Sequence, residues 1–296
     1  MECLTILPGH DKGGRVESFL PIHLKRGQLY TIVGNTGSGK SRLIKDVEQM
    51  AQGDSVTGRT ILLDGAPVSR CHRQRLSGQL VAHLGQNMRF VLDTTVEDFL
   101  RLHARCRSRE ITPEEILKLV NEITPEPVTL GQSLNQLSGG QSRALMIGDI
   151  ALVCDSPIVL IDEIENAGID KQRALHLLRR QDKLVLVVTH DPHTALMSER
   201  RIVLGGGAIT AVVGRSPAEA ALYQQLEAEY QTQRRYQTLL RKENSWHDTY
   251  FARLESYLRT SPTGEGVPGW ADAETALRWD PIGSALFRLG ISGAHV

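Results

Sequence analysis

The residues best suited to chemistry lie in a glycine-rich segment near the N-terminus. Residues 34–41 read GNTGSGKS and match the phosphate-binding pattern G-x-x-x-x-G-K-[ST] at every fixed position. In this pattern backbone N–H groups converge on phosphate oxygens, a lysine reaches the β- and γ-phosphates, and a hydroxyl ligates Mg²⁺. The segment therefore predicts a nucleoside triphosphate site whose phosphate-binding residues are Gly34, Asn35, Thr36, Gly37, Ser38, Gly39, Lys40 and Ser41, with Ser41 also a Mg²⁺ ligand.

The elements around this segment are those that the motif requires. A hydrophobic run over residues 28–33 predicts a strand that leads into the loop, and residues 41 to about 51 predict a helix that follows it. Strand, glycine loop and helix in this order bring the positive end of the helix dipole to the phosphates. The local sequence thus supports nucleotide binding rather than an ordinary glycine turn.

A second set of candidate residues follows an apolar run farther along the chain. Residues 158–161 read IVLI, which is typical of a parallel strand buried on both faces, and Asp162 and Glu163 come directly after it. Ligands of open α/β sheets bind at the carboxyl ends of the strands. We therefore predict that Asp162 ligates Mg²⁺ and that Glu163 polarises the attacking water.

Between these segments stands the sequence LSGGQ at residues 137–141, directly ahead of a helical run. A phosphate loop, LSGGQ and an apolar-Asp-Glu strand in this order and spacing resemble the ATP-binding cassette (ABC) ATPases, and the resemblance covers about residues 1–214. It implies an α/β fold with a P-loop NTPase (RecA-like) core, an antiparallel β layer and a helical subdomain. It also implies ATP as the nucleotide, Mg²⁺ as its cation, and hydrolysis of ATP to ADP and phosphate.

The resemblance assigns further residues by position. Gln86 falls where the family has a glutamine that contacts Mg²⁺ and the attacking water, and His190 falls where a histidine contacts the γ-phosphate. In this family the signature segment closes over the ATP of a second subunit, so the ATP-dependent dimer is head to tail. The resemblance implies such a homodimer, or a pair with a homologous ATPase subunit, with ATP contacts in trans from Ser138, Gly139, Gly140 and Gln141.

Two features depart from the family pattern. The family has an aromatic residue that stacks on adenine about 25 residues before the phosphate loop, whereas residues 7–14 contain no aromatic residue and His10 is the alternative ring. After Glu163, transporter members continue with Pro-Thr, but residues 164–170 read IENAGID. This apolar-acidic continuation is similar to the DNA-repair and chromosome-structuring branch, and Asp170 is a candidate for the loop that crosses the dimer interface.

Composition excludes several classes of protein. The 34 Lys and Arg residues balance the 34 Asp and Glu residues, so no overall field favours nucleic acid. The four cysteines show no metal-ligand spacing, and the sequence shows neither a signal peptide nor eighteen consecutive apolar residues. We expect a cytoplasmic protein that is peripheral to a membrane, if at all, through a partner.

The chain is predicted to hold two regions. Residues 1–214 form the ATPase domain, with a helical subdomain at about residues 87–136, and residues 215–296 form a mainly helical, aromatic-rich extension. Strands over residues 3–8, 28–34 and 60–64 are expected to form the antiparallel layer, and residues 201–214 a closing hairpin. The segments TPEE at residues 112–115 and SPAE at residues 216–219 are predicted to be capping boxes that begin helices. Crowded tyrosines and tryptophans in the extension favour an interface, either with the ATPase core or with a partner.

Two functions remain open at this stage. In one, ATP drives a conformational change in a soluble protein complex, which the loop after Glu163 and the aromatic extension slightly favour. In the other, the chain is the nucleotide-binding subunit of a membrane transporter, because residues 94–100 resemble the segment that receives a transporter's coupling helix. In the second case the transmembrane permease is a separate polypeptide.

Overall fold

The computed structural model describes residues 1–69, 73, 78–86 and 88–240. The chain divides into two compact units, Met1–Gln231 and Thr232–Val296. Within the described ranges no helix has the length and apolar character needed to cross a membrane. The tryptophans and the later tyrosines of the predicted extension lie outside the described residues.

Two β-sheets form the frame of the first unit. The strands of the described residues are, in chain order, β1 Cys3–Leu7, β2 Ile22–Lys25, β3 Leu29–Val33, β4 Thr60–Leu63, β5 Ala66–Pro67, β6 Val81–Leu84, β7 Ile158–Asp162, β8 Leu184–Val188, β9 Arg200–Gly205 and β10 Ala208–Gly214. One sheet is antiparallel, in the order β2-β1-β4-β5. The other has the order β10-β9-β3-β8-β7-β6 and is parallel except for the β9–β10 hairpin.

Helices cover the sheets and connect the strands. The α-helices of the described residues are α1 Lys40–Glu48, α2 Val96–Cys106, α3 Pro113–Ile123, α4 Gly139–Leu152, α5 Lys171–Arg180, α6 Pro192–Met197 and α7 Pro217–Leu240. Two 3-10 helices span Leu134–Gln136 and Ile164–Ala167. The architecture is the predicted α/β fold with an antiparallel layer, a helical subdomain and a closing hairpin.

One strand assignment was wrong. The run that leads into the phosphate loop was expected in the antiparallel layer, but β3 lies inside the parallel sheet, between β8 and β9. The reason is that four of its five side chains are buried, which suits a strand covered on both faces better than one in a half-exposed layer. The antiparallel layer instead gains β2, which the sequence did not indicate.

Side chains at alternating positions of the central strands pack into two separate hydrophobic cores. On β7, Val159 and Ile161 pack with the helical subdomain, whereas Ile158 and Leu160 pack with α1 and the antiparallel sheet. All four side chains are completely buried. Because successive side chains of a strand point to opposite faces, an uninterrupted apolar run is what a strand between two cores needs. This explains why the run before Asp162 predicted its strand correctly.

The helical subdomain begins its helices with side-chain caps. Thr112 and Glu115 form the predicted capping box of α3, with Pro113 as its first residue. A partly buried hydrogen-bond chain joins α2 to α4: His103 Nδ1 lies 2.6 Å from Asp149 Oδ1, and the Cys154 thiol donates to Asp149 Oδ2. Burial and the charge of Asp149 raise the pKa of Cys154 to about 12, so this thiol is neutral and acts as a donor.

The start of α7 packs on the ATPase core. The predicted capping box is present, since Glu219 accepts from Ser216 N and Ser216 Oγ accepts from Glu219 N. Farther along, the ring of His193 stacks on Tyr223 and Tyr230, with centroid distances of 5.5 and 4.8 Å. The part of α7 within Met1–Gln231 therefore packs on the ATPase core of its own chain. This is the first of the two interfaces considered for the extension.

Candidate functional site

The phosphate loop, residues 34–41, connects β3 to α1 and depends on close backbone contacts. Gly34 has no room for a side chain, because a Cβ there would lie 2.4 Å from the carbonyl oxygen of Leu204. The Lys40 ammonium donates to the carbonyl oxygens of Gly34 at 2.7 Å and Asn35 at 3.1 Å. The loop thus folds around Lys40 and brings the predicted phosphate-binding residues together at the start of α1.

A fully buried ion cluster supports the phosphate loop from below. The Arg59 guanidinium, with no exposed side-chain surface, lies 2.6 Å from Glu17 and 3.2 Å from Asp46. Arg59 Nη2 also donates to the carbonyl oxygen of Gly207 at 3.0 Å, and Gly207 N donates to the carbonyl oxygen of Ser38 at 3.0 Å. Sequence reasoning missed this support because its residues come from four distant segments.

A second lysine contacts the loop from the segment where the family pattern has its aromatic residue. Lys12 Nζ donates to the carbonyl oxygen of Gly37 at 2.6 Å. His10, the alternative ring for adenine, is exposed, and its backbone N–H donates to the carbonyl oxygen of Thr57. This segment therefore presents a cation to the phosphate loop, in addition to the exposed imidazole of His10.

On the opposite side of the site, three residues from three neighbouring strand ends come into contact. Gln86 follows β6, Glu163 follows β7 and His190 follows β8. Gln86 Nε2 donates to Glu163 Oε2 at 2.7 Å, and His190 Nδ1 lies 3.5 Å from Glu163 Oε1. We call these residues, together with Glu165, the Glu163 cluster. The structure brings together all three residues that the sequence analysis named as catalytic.

The residues predicted to hold Mg²⁺ offer a suitable set of donors. Ser41, Gln86 and Asp162 supply hydroxyl, amide and carboxylate oxygens, which are the ligands that Mg²⁺ prefers. Burial, and then the neighbouring charge of Glu163, raise the pKa of Asp162 above its usual range. A bound cation would relieve both effects, so the electrostatics of this carboxylate fit a divalent metal.

A buried arginine from α4 fixes the strand ends beneath the Glu163 cluster. Arg143 donates to the carbonyl oxygen of Gln86 at 3.1 Å and also to that of Asp162. Burial lowers the pKa of Arg143, and the charges of Asp162, Glu165 and Glu163 oppose this effect. The sequence signal for this residue was a charged side chain directly ahead of the apolar run at residues 144–147, which sequence reasoning did not use.

The signature residues form the start of α4. Ser138 Oγ accepts from Gln141 N at 3.2 Å, and Gln141 Oε1 accepts from Ser138 N at 2.9 Å, so the two form a capping box. Gly139 and Gly140 occupy the first turn, where backbone N–H groups have no partner within the helix. Among the hydrogen bonds of the described residues, none joins this segment to the phosphate loop of the same chain.

The fold and the site together define a P-loop nucleoside triphosphatase. A model of the family described as ABC transporter matches residues 20–166. An uncharacterized ABC transporter ATP-binding protein of Methanocaldococcus jannaschii is 47% identical over 218 residues, which are 73% of this chain and 84% of that protein. The chain therefore belongs to the ABC transporter family, and it is an ATP-binding and ATP-hydrolysing protein.

More distant relatives include membrane exporters. The macrolide export ATP-binding/permease protein MacB of Shigella dysenteriae is 28% identical over 218 residues, which are 68% of this chain and 32% of MacB. The present chain thus spans about a third of the length of the MacB proteins it matches.

Solved structures show the same fold at lower sequence identity. An ATP-binding subunit of an ABC transporter superposes with a TM-score of 0.56 and 22% identity, covering 72% of this chain and 90% of that one. The cbiO1 protein of Clostridium perfringens, part of the ABC transporter complex cbiONQ, gives a TM-score of 0.55 and 18% identity, covering 80% and 98%. These likenesses confirm the predicted fold class.

Proposed function

We propose that this chain binds Mg²⁺–ATP on the phosphate loop and hydrolyses it with Glu163 as the general base. The observation that carries the proposal is the contact of Gln86, Glu163 and His190 at the ends of β6, β7 and β8. In the sheet order β3-β8-β7-β6 these ends lie beside β3, which leads into the phosphate loop. Adjacent carboxyl ends of parallel strands place a base and the γ-phosphate in one crevice.

Each residue has a distinct part in the proposed mechanism. Lys40 and the backbone N–H groups of the loop bind the phosphate oxygens, and Mg²⁺ bound by Ser41, Gln86 and Asp162 would neutralise developing charge. Glu163 accepts the proton of the attacking water, which the Gln86 amide helps to orient. His190 lies beside Glu163, where its ring can donate to the γ-phosphate. Phosphoryl transfer requires this positioning and charge neutralisation more than it requires covalent chemistry.

We infer that the active form is a head-to-tail dimer with ATP at its interface. The start of α4 supports this, because the N–H groups of Gly139 and Gly140 and the helix dipole suit an anion while no hydrogen bond in the described residues ties them to their own phosphate loop. A two-fold axis then places each signature segment at the partner's ATP. Opening after hydrolysis is the mechanical output.

The names of the relatives favour a membrane permease as the protein that receives this motion. Both the ATP-binding protein of M. jannaschii and MacB are named as parts of transport systems. We therefore propose a nucleotide-binding subunit that acts on a separate transmembrane subunit, in the cytoplasm at the membrane surface. The slight preference of the sequence analysis for a soluble complex receives no support. Affinity purification of the tagged chain from membranes and from the soluble fraction of native cells distinguishes the two partners.

The test of the catalytic assignment is Glu163→Gln. The amide cannot accept the proton, so we expect kcat to fall by at least about 100-fold. ATP still binds, because its phosphate contacts come from the loop, and the unhydrolysed nucleotide stabilises the dimer. Phosphate release and size-exclusion chromatography with ATP measure the two effects. Glu110→Gln, at an exposed position outside the site, is the control, and a Glu163→Gln protein with wild-type turnover would remove Glu163 from its role.

The test of the dimer is Ser138→Arg. The bulky cation is expected to block ATP-dependent dimerisation while the ATP affinity of the monomer stays within about twofold of wild type. Analytical ultracentrifugation and a fluorescent ATP analogue measure the two properties separately. Ser108→Arg, in the exposed turn after α2, is the matched control. Loss of nucleotide affinity in the Ser138→Arg monomer would mean that the signature segment serves its own subunit.

A further inference from the structure

Glu165 lies next to the site but has no part in the mechanism described so far. It belongs to the 3-10 helix Ile164–Ala167, directly after Glu163, and its side chain is only 12% exposed. Its Oε1 accepts from Thr189 Oγ1 at 2.7 Å and from the backbone N–H of His190 at 3.3 Å. The same oxygen lies 3.4 Å from His190 Nδ1. One carboxylate oxygen therefore contacts the main chain, the ring and the preceding residue of His190.

The His190 side chain needs such support because little else surrounds it. The side chain is 62% exposed, and a short loop joins it to the end of β8. An exposed histidine side chain loses rotational freedom when it must meet a phosphate. Contacts that fix its ring and its backbone before the substrate arrives lower this entropic cost. Glu165 makes contacts to both.

The second carboxylate also changes the environment of Glu163. His190 Nδ1 lies at nearly equal distances from the two glutamates, 3.5 Å from Glu163 and 3.4 Å from Glu165. When Glu165 shares the ring nitrogen, the interaction of His190 with the proposed base is weaker than it would be with Glu163 alone.

The second carboxylate oxygen of Glu165 indicates that a glutamate at this position is not the most stable choice for the fold alone. Glu165 Oε2 is buried and has no hydrogen-bond partner among the described residues. A buried polar oxygen without a partner is destabilising by about 1–3 kcal/mol. A glutamine could accept the hydrogen bonds from Thr189 and from the backbone of His190 without a buried charge. The negative charge is therefore not required by these two bonds, and the remaining contact of the carboxylate is with the His190 ring.

We propose that Glu165 is a positioning residue for ATP hydrolysis. It fixes the ring and backbone of His190 toward the γ-phosphate and shares the ring nitrogen with Glu163. The proposal rests on the roles given above to Glu163 and His190. It also accounts for an acidic residue in the segment IENAGID, where transporter members of the family continue with Pro-Thr.

A positioning role and a purely structural role predict different results in a double-mutant cycle. If Glu165 acts through His190, removing it matters only while His190 is present. If it merely stabilises the fold, its removal has the same effect in both backgrounds. The conservative variant Glu165→Gln suits this test, because an amide oxygen still accepts from Thr189 and from the backbone while the negative charge is lost.

The experiment compares kcat and KM for ATP in Glu165→Gln, His190→Ala and the double variant. We expect His190→Ala to lower kcat by about 100-fold and Glu165→Gln by about tenfold, with KM within about twofold of wild type. In the His190→Ala background, Glu165→Gln is expected to change kcat by less than about twofold. Thr189→Val removes the hydroxyl that donates to Glu165. It is expected to lower kcat less than Glu165→Gln does, because Glu165 then holds His190 less firmly.

Glu219→Gln is the matched control, since Glu219 is also a half-buried glutamate that accepts a backbone N–H, but at the start of α7. It is expected to leave both kinetic constants unchanged. An unchanged kcat in Glu165→Gln, an equal loss in both backgrounds, or a raised KM as the main effect would each overturn the proposal. If Glu163→Gln and His190→Ala keep wild-type turnover, the assignment of the site itself fails, and this inference fails with it.

Discussion

The two sides of the nucleotide site are held in place by different means. The phosphate loop is built from backbone groups and lies over the ion cluster of Arg59, Glu17 and Asp46, whose side chains are at most 3% exposed. The Glu163 cluster is built from side chains, and His190 within it is mostly exposed. The comparison indicates that the phosphate loop is the fixed side, because buried groups of the single chain hold it. We infer that the Glu163 cluster, which we propose to be catalytic, is the adjustable side and suits the proposed closure of the dimer.

The catalytic side has its own support, but a more exposed one. Lys171 pairs with Asp191, the residue after His190, and its ammonium lies 4.6 Å from the centroid of the Tyr230 ring. Tyr230 stacks on His193 at the start of α6. The loop that carries His190 therefore contacts α7 through aromatic and ionic groups, of which Lys171 and His193 are buried while the Asp191 side chain is 26% exposed. Interactions of this kind are weaker than those of a fully buried ion cluster that is satisfied on every side.

The largest effect is expected from Arg59→Met, which tests the fixed side. The substitution leaves Glu17 and Asp46 buried without their cation, so the free energy of unfolding is expected to fall by about 3–5 kcal/mol. Urea denaturation measures it. The control Arg109→Met breaks the exposed pair with Asp155, whose side chains are 46% and 56% exposed, and is expected to change stability by less than about 1 kcal/mol. Equal effects of the two variants would refute the contrast between buried and exposed support.

A smaller effect is expected from Tyr230→Ala on the adjustable side. Loss of the stack on His193 and of the contact with Lys171 is expected to lower the free energy of unfolding by about 2 kcal/mol. The affinity for ATP is expected to stay unchanged, because the phosphate loop is held separately. Thermal denaturation and nucleotide titration measure the two, with Leu222→Ala, an exposed position on the same helix, as the control. A weaker ATP affinity would show that the two sides are not independent.

The smallest effect is expected in the pH dependence of stability. Burial alone would raise the pKa of Asp191, but hydrogen bonds from Lys171 and Thr194 outweigh it and lower the pKa to about 2. Because the folded-state pKa lies below the unfolded value, this carboxylate stabilises the fold above about pH 4, and the contribution is lost as the pH falls toward 2. We expect Asp191→Asn to destabilise the protein by about 1 kcal/mol at pH 7 and to have a smaller effect at pH 3. Melting temperatures at the two pH values measure the change, and an equal difference at both would contradict the assignment.

Local patterns predicted those features that depend on neighbouring residues. The phosphate loop, the buried strand before Asp162 and the capping boxes at Thr112 and Ser216 each follow from a few adjacent side chains, and the structure confirms them. The contacts among Gln86, Glu163 and His190 agree with the expectation, because adjacent strands end at the same edge of the sheet. Their roles and the domain boundary at residue 214 stay predictions.

Features that depend on distant contacts could not be predicted in this way. Arg59 and Glu17 are far apart in the chain, and neither has a local pattern that indicates an ion pair with no exposed surface. The contact of Lys12 with Gly37 lies in a segment where the family pattern predicts an aromatic ring and not a cation. The strand β3 was placed in the wrong sheet because its pairing depends on β8 and β9, which come much later in the sequence. Such contacts depend on how distant segments pack together, and the spacing of residues within one segment does not indicate them.

The hydrogen bond between Gly207 and Ser38 has a consequence for synthesis of the protein. The turn of the β9–β10 hairpin supplies the N–H that holds the Ser38 carbonyl, and the backbone of Gly207 lies where a Cβ on Gly39 would come within 3.1 Å of it. A chain that is still emerging from the ribosome without this hairpin lacks one of the supports of its phosphate loop. The phosphate loop is translated before the signature segment and Asp162, but its contact with Gly207 can form only after the β9–β10 hairpin has been synthesised.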